Sequence, residues 1–345
     1  MRILVTFILC QIAFVAAAQQ RKTENLIVIT LDGFRWQEVF AGADSALLFN
    51  TRYSNPDFNT TTFWDDSPEE RREKLMPFLW EVLANQGQLY GNRAFHNRVI
   101  CANPYWASYP GYSELFTGFV DKSLMSNKKK ENPNGNILEA VQARPDFRDR
   151  VGVFSTWDAV PYILRAKRNH ITTNPPHDHS HTTAFTRDSI TFAQAFDYLK
   201  RDHPKVLYIS FDATDAFAHG GHYDQYLQAA HRIDRMIAAL WTWTRSQEDY
   251  REKTSLLITT DHGRGRSSRS SWVRHGTFTP GSGQTWFALM GPDTPPLGEI
   301  RTETRHYQKQ LAQTMANILG VDFSPAHRVA PAVAGTVVYP VYTGR

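Results

Sequence analysis

The sequence predicts an α/β fold with a mainly parallel central sheet and helices on both of its faces. Residues 25–31 and 206–211 are continuous apolar runs rich in β-branched side chains, a composition typical of strands buried on both faces. Residues 223–244 follow the second run and space their apolar side chains as an amphipathic helix does. Strands that alternate with helices along most of a chain are typical of this fold class.

The same patterns place the individual elements in order. The expected strands are residues 25–31, 151–155, 206–211, 256–260 and 285–290. The expected helices are residues 69–85, 134–143, 223–244 and 307–319. Gly320 ends the last helix, and residues 44–70 are polar and rich in turn formers, so we expect a long surface loop there.

Length and composition indicate a globular protein with one sizeable core. The chain has 345 residues, of which 41% are hydrophobic and 21% charged. We expect a single domain over residues 19–345. The formal net charge of +4 suits a small anionic substrate, but it is too weak to indicate a nucleic acid polymer as partner. Nothing in the sequence indicates an oligomeric state.

The first 18 residues have the pattern of a cleavable signal peptide. Arg2 is followed by an apolar run over residues 3–14 and by small residues that end at Ala18. The run is too short to cross a membrane as a helix, so we expect no membrane span once it is removed. The protein is therefore expected to be exported, either periplasmic or secreted. Cys101 is then the only cysteine of the mature chain, which excludes an internal disulfide.

Acidic residues follow three of the expected strands. Asp32 comes directly after the first strand, Asp215 lies just beyond the third, and Asp261 follows the fourth. In parallel α/β sheets, ligands bind beyond the carboxyl ends of the strands. We therefore expect these three carboxylates to converge, although they are far apart in the sequence.

Three histidines accompany these carboxylates. His219 stands four residues after Asp215, a spacing that puts both on one face of a helical turn. His262 directly follows Asp261, and His275 lies in a loop further on. A set of oxygen and nitrogen ligands without thiolates suits zinc, with manganese as the alternative. Two such ions about 3.5–4 Å apart would clamp the attacking and leaving oxygens of a displacement reaction.

Ser108 is the candidate nucleophile. Pro110 can occupy the first turn of a helix, which would put Ser108 at or near the N-cap. Free amides and the positive end of the helix dipole favour a phosphate at that place, and a metal would lower the pKa of the hydroxyl. A water molecule activated by the metals is the alternative nucleophile.

The order of these motifs resembles the alkaline phosphatase superfamily, over about residues 25–320. Within it, the chain is similar to the nucleotide pyrophosphatase/phosphodiesterase branch, where Thr-Phe-Pro followed by Thr-Gly carries the nucleophile. Ser108-Tyr109-Pro110 and Thr117-Gly118 fall on that pattern. The resemblance implies an alkaline-phosphatase-like fold and two metal sites. One would be bound by Asp215, His219 and His275, and the other by Asp32, Asp261, His262 and Ser108.

Departures from the related sulfatases bear on the substrate. Sulfatases have Cys at the nucleophile position followed by x-Pro-x-Arg, whereas this chain has Ser108 and, at the Arg position, Tyr112. Cys101 lies seven residues earlier and lacks that motif. The family often has an Asn that contacts a phosphate oxygen, and Asn127 is the candidate here. Tyr112 and Trp157 could form part of an aromatic wall for a leaving group.

The sequence thus predicts a two-metal hydrolase of phosphate mono- or diesters that acts through a covalent phosphoserine. A sulfate- or phosphonate-ester hydrolase and a phosphotransferase are the alternatives within the superfamily. An inactive, metal-stabilised binding protein is the alternative from another class, but it would predict gaps in the ligand set, and none is found.

Overall fold

A computed structural model of the chain describes residues 21–55, 62–177, 181–266 and 270–338. The expected signal peptide, residues 1–18, lies outside them. The α-helices are α1 Trp36–Ala41, α2 Ser45–Leu48, α3 Pro68–Leu75, α4 Ala84–Gln86, α5 Ser108–Thr117, α6 Ile137–Gln142, α7 Val160–Ile163, α8 Ala184–Asp202, α9 Ala213–Gly220, α10 Tyr223–Ser246 and α11 Gln310–Leu319. A π-helix spans Phe78–Leu83, and short 3-10 helices span Arg93–Phe95 and Ser271–Val273.

Eleven strands among the described residues form two sheets. The strands are β1 Asn25–Leu31, β2 Gly87–Tyr90, β3 Asn97–Ile100, β4 Val151–Ser155, β5 Thr172–Thr173, β6 Val206–Phe211, β7 Thr254–Thr259, β8 Gln284–Thr285, β9 Phe287–Met290, β10 Gly298–Glu299 and β11 Thr304–Tyr307. The large sheet has the order β10-β2-β9-β7-β1-β6-β4-β5, and the small one has the order β11-β3-β8. In the large sheet, β9 runs antiparallel to β2 and β7, and the other pairs are parallel.

The centre of the large sheet is β1, which pairs in parallel with β6 on one side and β7 on the other. All seven of its residues are buried. Successive side chains alternate between two hydrophobic clusters: Ile27 and Ile29 pack into one, whereas Leu26 and Val28 pack into the other. Helices cover both faces, so the predicted α/β class is confirmed, with the antiparallel strand as an addition.

Two expected elements are interrupted. The helix predicted over residues 69–85 ends as α3 at Leu75, because Pro77 cannot donate the backbone hydrogen bond that a continuous helix requires. The strand predicted over residues 285–290 is divided at Trp286, so that β8 joins the small sheet and β9 the large one.

Other differences concern elements that the sequence patterns did not indicate. The 19-residue helix α8 and the whole small sheet were not predicted. The closing helix begins three residues later than expected, at Gln310, since Thr304–Tyr307 pairs with β3. The expected loop over residues 44–70 contains α2, whose first turn is capped by the side chain of Asp44. Residues 56–61 of that loop lie outside the described ranges.

A helix that is long and apolar enough to cross a membrane is not found among the described residues.

A buried carboxylate holds the start of the π-helix. The Asp234 side chain, on α10, is 1% exposed and accepts the backbone N–H groups of Phe78 and Leu79 at 2.8 and 3.0 Å. These N–H groups begin a helix and have no carbonyl partner within it. Asp234 therefore joins α10 to the segment that follows the break at Pro77.

Replacing this carboxylate should destabilise the fold. Asp234→Ala leaves two buried N–H groups without an acceptor, and we expect the free energy of unfolding to fall by roughly 2–4 kcal/mol. Urea unfolding followed by circular dichroism measures the change. Thr242→Ala, an exposed position on the same helix, is the control and should change it by less than about 0.5 kcal/mol. Equal stabilities for the two variants would contradict the assigned role.

Candidate metal centre

The predicted ligands lie together at the carboxyl end of the central strands. Asp32, Asp261 and His262 offer ligand atoms that all lie within 4.8 Å of one another, and all three side chains are buried. Asp215, His262 and His275 form a second such group. His262 belongs to both groups, so the two form one continuous cluster.

His219 completes this cluster on its solvent side. Its Nε2 lies 3.2 Å from Asp215 Oδ2 and 3.0 Å from His275 Nε2. The side chain is 49% exposed, whereas that of His262 is fully buried. The structure therefore brings together all six Asp and His residues that the sequence singled out, with Asp215 and His219 both on α9.

Ser108 is the first residue of α5, with Ala107 as the N-cap. Its Oγ lies 3.3 Å from His262 Nε2 and 3.5 Å from Asp32 Oδ1, and the residue is 6% exposed. The missing N–H of Pro110 costs no helical hydrogen bond, since the first one is donated by Gly111, to Ala107. Ser108 is thus placed beside two of the predicted ligands, one position further into the helix than a cap.

Gly111 allows this helix to lie against the cluster. A Cβ at this position would come within 2.4 Å of the backbone oxygen of Asp261. The glycine is therefore required for the close approach of α5 to the end of β7.

The carboxyl groups of the cluster have strongly shifted pKa values. Burial raises the pKa of Asp32 well above its ordinary value, and the charges of Asp261 and Asp215 raise it further. Burial also raises the pKa of Asp261, to about 7. Burial would raise the pKa of Asp215 too, but the guanidinium of Arg264, together with the hydrogen bond from His219 and the charges of the neighbouring histidines, holds that pKa well below the usual range. Three carboxylates at such close quarters repel one another unless positive charge lies between them.

The surroundings of His262 and His275 favour the neutral form of both imidazoles. Burial lowers the pKa of His262 to about 4, and burial together with His262 lowers the pKa of His275 to about 3. Their rings stack with centroids 4.0 Å apart. Neutral imidazoles keep a nitrogen lone pair for a metal ion.

These residues fit divalent metal ions. Asp261 Oδ2 is buried and has no hydrogen-bond partner among the described residues, which is costly for a carboxylate oxygen unless a cation contacts it. The remaining donors are carboxylate oxygens and neutral imidazoles, a set that zinc and manganese both accept.

The predicted substrate contacts have different surroundings. Tyr112 is 1% exposed, and its hydroxyl donates to Asp32 Oδ2 at 3.0 Å, so it lies beneath a predicted ligand rather than on the open side of the site. Trp157 is half-buried, with its ring centroid 6.3 Å from that of Tyr112. Asn127 is exposed, and its Oδ1 accepts the backbone N–H of Tyr109 at 2.9 Å, which places it at the helix end that carries Ser108.

Arg264 is a residue of the site that the sequence reasoning missed. It is 1% exposed, forms an ion pair with Asp215 Oδ1 and donates to the backbone oxygen of Trp272. The only hint in the sequence was that Arg264 lies two residues after the predicted ligand His262. The ion pair leaves Oδ2 of Asp215 directed toward His219.

Solved structures with a similar fold have low sequence identity. The wild-type alkaline phosphatase PafA superposes with a TM-score of 0.59 at 10% identity, over 93% of this chain and 100% of that one. An inactive variant of murine ectonucleotide pyrophosphatase/phosphodiesterase 5, in complex with AMP, gives 0.55 at 10% identity, over 90% and 97% of the two chains. The lipoteichoic acid synthase LtaP from Listeria monocytogenes gives 0.57 at 12% identity, over 88% and 73%.

The sheet order, the helices on both faces and these likenesses define an α/β protein with the alkaline phosphatase fold. Within this class, the chain belongs to the type I phosphodiesterase/nucleotide pyrophosphatase family, whose family model matches residues 40–328. The match includes Ser108 and every predicted ligand except Asp32. Membership of this family indicates that the protein is a hydrolase of phosphate esters. No curated protein matches the chain in sequence.

The turn after β1 gives a direct test of this geometry. Gly33 has a φ of +58°, and a Cβ there would meet Asp215 Oδ1 at 2.6 Å and His262 Cε1 at 3.1 Å. Gly33→Ala should therefore displace the cluster and lower kcat/KM on nitrophenyl phosphate at least a hundredfold.

Gly335→Ala is the matched control, because Gly335 has a φ of +79° and nothing lies within 4 Å of its Cβ position. It should cost about 1 kcal/mol of stability from the left-handed backbone and leave the rate unchanged. Equal rates for the two variants would contradict the arrangement described for Asp215 and His262.

Proposed function

We propose that the protein is a two-metal hydrolase of phosphate esters in which Ser108 is the nucleophile. The observation that carries the proposal is the position of Ser108 Oγ, at the start of α5 and within 3.5 Å of both Asp32 and His262. A serine at a helix start beside a set of carboxylates and neutral histidines has the surroundings that an activated hydroxyl needs.

Each residue has a definite part in this reaction. Asp32, Asp261, His262 and Ser108 would hold one ion, and Asp215, His219 and His275 the other. When bound, the ions supply the positive charge that favours the ionised form of Ser108 and stabilises the transferred phosphoryl group. The N-terminal end of α5 places its dipole toward that group, and Asn127 lies at the same end to contact a phosphate oxygen.

The reaction then proceeds in two displacements. Ser108 Oγ forms a bond to phosphorus while the bond to the leaving alcohol breaks. Water next attacks the phosphoserine, which releases phosphate or a monoester and restores the serine. Tyr112 holds Asp32 by donating to Oδ2, so that Oδ1 stays directed toward Ser108.

The choice of substrate rests on the residues around the nucleophile. Serine at position 108 favours a phosphate ester over a sulfate ester, and the net charge of +4 favours a small anionic ester. Both monoesters and diesters remain within the proposal. Zinc is the proposed metal, with manganese as the alternative. The proposed location is outside the cytoplasm, which rests on the signal peptide expected over residues 1–18.

Metal content tests the ligand set. Protein purified without a chelator should contain close to two equivalents of divalent metal, mainly zinc, by elemental analysis. Asp261→Ala should lose at least one equivalent, because it removes a buried carboxylate whose Oδ2 has no hydrogen-bond partner among the described residues and is free to bind a cation. Asp224→Ala, which replaces a carboxylate at the start of α10, should keep both. Wild-type protein with one equivalent or none and full activity would contradict the two-metal proposal.

Ser108→Ala tests the nucleophile directly. The variant keeps all six Asp and His ligands, so its metal content should fall little. The rate should drop by several orders of magnitude, on the order of 4–7 kcal/mol in barrier height. Rates on nitrophenyl phosphate, bis-nitrophenyl phosphate and nitrophenyl sulfate would measure this loss and also rank the three ester classes.

Quenched-flow trapping with wild-type protein identifies the covalent step. A burst of product with phosphate on Ser108, found in the peptide that covers residues 107–114, is the expected result. Ser113→Ala is the control, since its hydroxyl lies in the same helix and accepts a hydrogen bond from Asn132. Near wild-type turnover by Ser108→Ala, or label on Ser113, would mean that water or another residue is the nucleophile.

A further inference from the structure

Glu114 is a buried carboxylate on α5, the helix that begins at Ser108, and the reaction described above does not use it. Its side chain accepts four N–H groups. Oε1 accepts from the backbone of Ala102 at 2.8 Å and of Lys309 at 3.2 Å. Oε2 accepts from the backbone and the side chain of Asn103 at 2.7 and 2.8 Å. All four partners are donors, so the group functions as an acceptor, and it is 1% exposed.

Residues 102–106, which we call the Glu114 strap, connect this carboxylate to the metal centre. The side-chain oxygen of Asn103 accepts the backbone N–H groups of Tyr105 and Trp106 at 3.1 and 3.0 Å. These bonds close a tight turn that ends at Trp106, whose φ of +45° is unusual for a residue with a side chain. The turn therefore depends on contacts that hold Trp106 in this conformation.

The strap ends on a predicted metal ligand. The backbone oxygen of Trp106 lies 3.0 Å from Nδ1 of His275. A carbonyl oxygen only accepts, so Nδ1 must carry the proton, and the unprotonated nitrogen is then Nε2. Nε2 faces His219, at 3.0 Å, and is the atom available to a metal. Fixing a histidine ligand through its other nitrogen is how proteins set its orientation.

We propose that Glu114 is a positioning residue that holds the nucleophile helix and His275 in a fixed relation through the Glu114 strap. This role rests on the proposed function, since it takes His275 as a metal ligand. One carboxylate then sets both the entry of the chain into α5 and the direction of the imidazole. Loss of the carboxylate should weaken the binding of the ion held by His275 more than the binding of the ion held by Asp32 and Asp261.

Glu114→Gln tests this role, because it keeps the size of the side chain and turns one acceptor oxygen into a donor that faces N–H groups. We expect one of the two zinc ions to pass to a chromogenic chelator at least tenfold faster than in wild-type protein. The other ion should leave at the wild-type rate. The value of kcat on nitrophenyl phosphate should also fall at least tenfold.

Asp234→Asn is the matched control. It changes another buried carboxylate that accepts two backbone N–H groups, but one that contacts the π-helix and not the metal centre. It should lower the melting temperature as Glu114→Gln does, and it should release both ions at wild-type rates. A structural loss alone would give the two variants the same metal release.

Asn103→Ala is a second and milder variant that decides the question if Glu114→Gln does not fold. It removes the turn bonds to Tyr105 and Trp106 and the side-chain bond to Glu114, but Glu114 keeps its three backbone N–H donors, at positions 102, 103 and 309. We therefore expect a smaller acceleration in the release of the same ion. Wild-type release in every variant that folds would overturn the role of Glu114. Wild-type protein that holds fewer than two ions would instead contradict the proposed function, and this role with it.

Discussion

The repulsion between three carboxylates at the ends of adjacent strands is the constraint on which the site depends. β6, β1 and β7 lie side by side, and this order carries Asp32, Asp261 and Asp215 to one buried place. Arg264 neutralises Asp215 only, so burial leaves the pKa of Asp32 and of Asp261 raised. Positive charge between these carboxylates would offset their repulsion and stabilise the sheet that brings them together. The proposed cations would supply that charge, and their binding would then be coupled to folding.

The antiparallel strand in the large sheet helps to hold the turn that carries Asp32. Trp286 lies at the break between β8 and β9. Its indole N–H donates to the backbone oxygen of Phe34 at 2.9 Å, and its backbone oxygen accepts from the Thr259 hydroxyl at 2.6 Å. Thr260 accepts the backbone N–H of Phe34 at 3.2 Å. The residues after β1 are thus held from β7 and from the junction of the two sheets. An antiparallel neighbour beside β7 makes this bracing available.

Much of the fold and of the ligand cluster could be predicted from the sequence, because the signals are local. Buried parallel strands are continuous apolar runs, and the residue after such a strand lies at the ligand-binding edge, so Asp32 and Asp261 were found without knowledge of strand order. Pairing across the chain has no local signal, which is why the antiparallel direction of β9 and the small sheet were not predicted. The same limit applies to Arg264 and Glu114, whose partners Asp215 and Lys309 lie 49 and 195 residues away. The burial of Tyr112 beneath Asp32 likewise depends on tertiary packing, which the sequence around Tyr112 does not indicate.

The histidines of the centre differ in exposure, so we distinguish a buried inner end, which we call the floor, from a solvent-exposed outer end, which we call the rim. His262 lies on the floor, fully buried against Asp261, whereas His219 stands at the rim with about half of its side chain in solvent. Of the two proposed ions, the one held by His219 would therefore be the more accessible to solvent and to a chelator. Removal of that ion alone would leave a half-loaded form with the inner position occupied. In such a form the nucleophile would be in place without the outer half of the phosphate clamp.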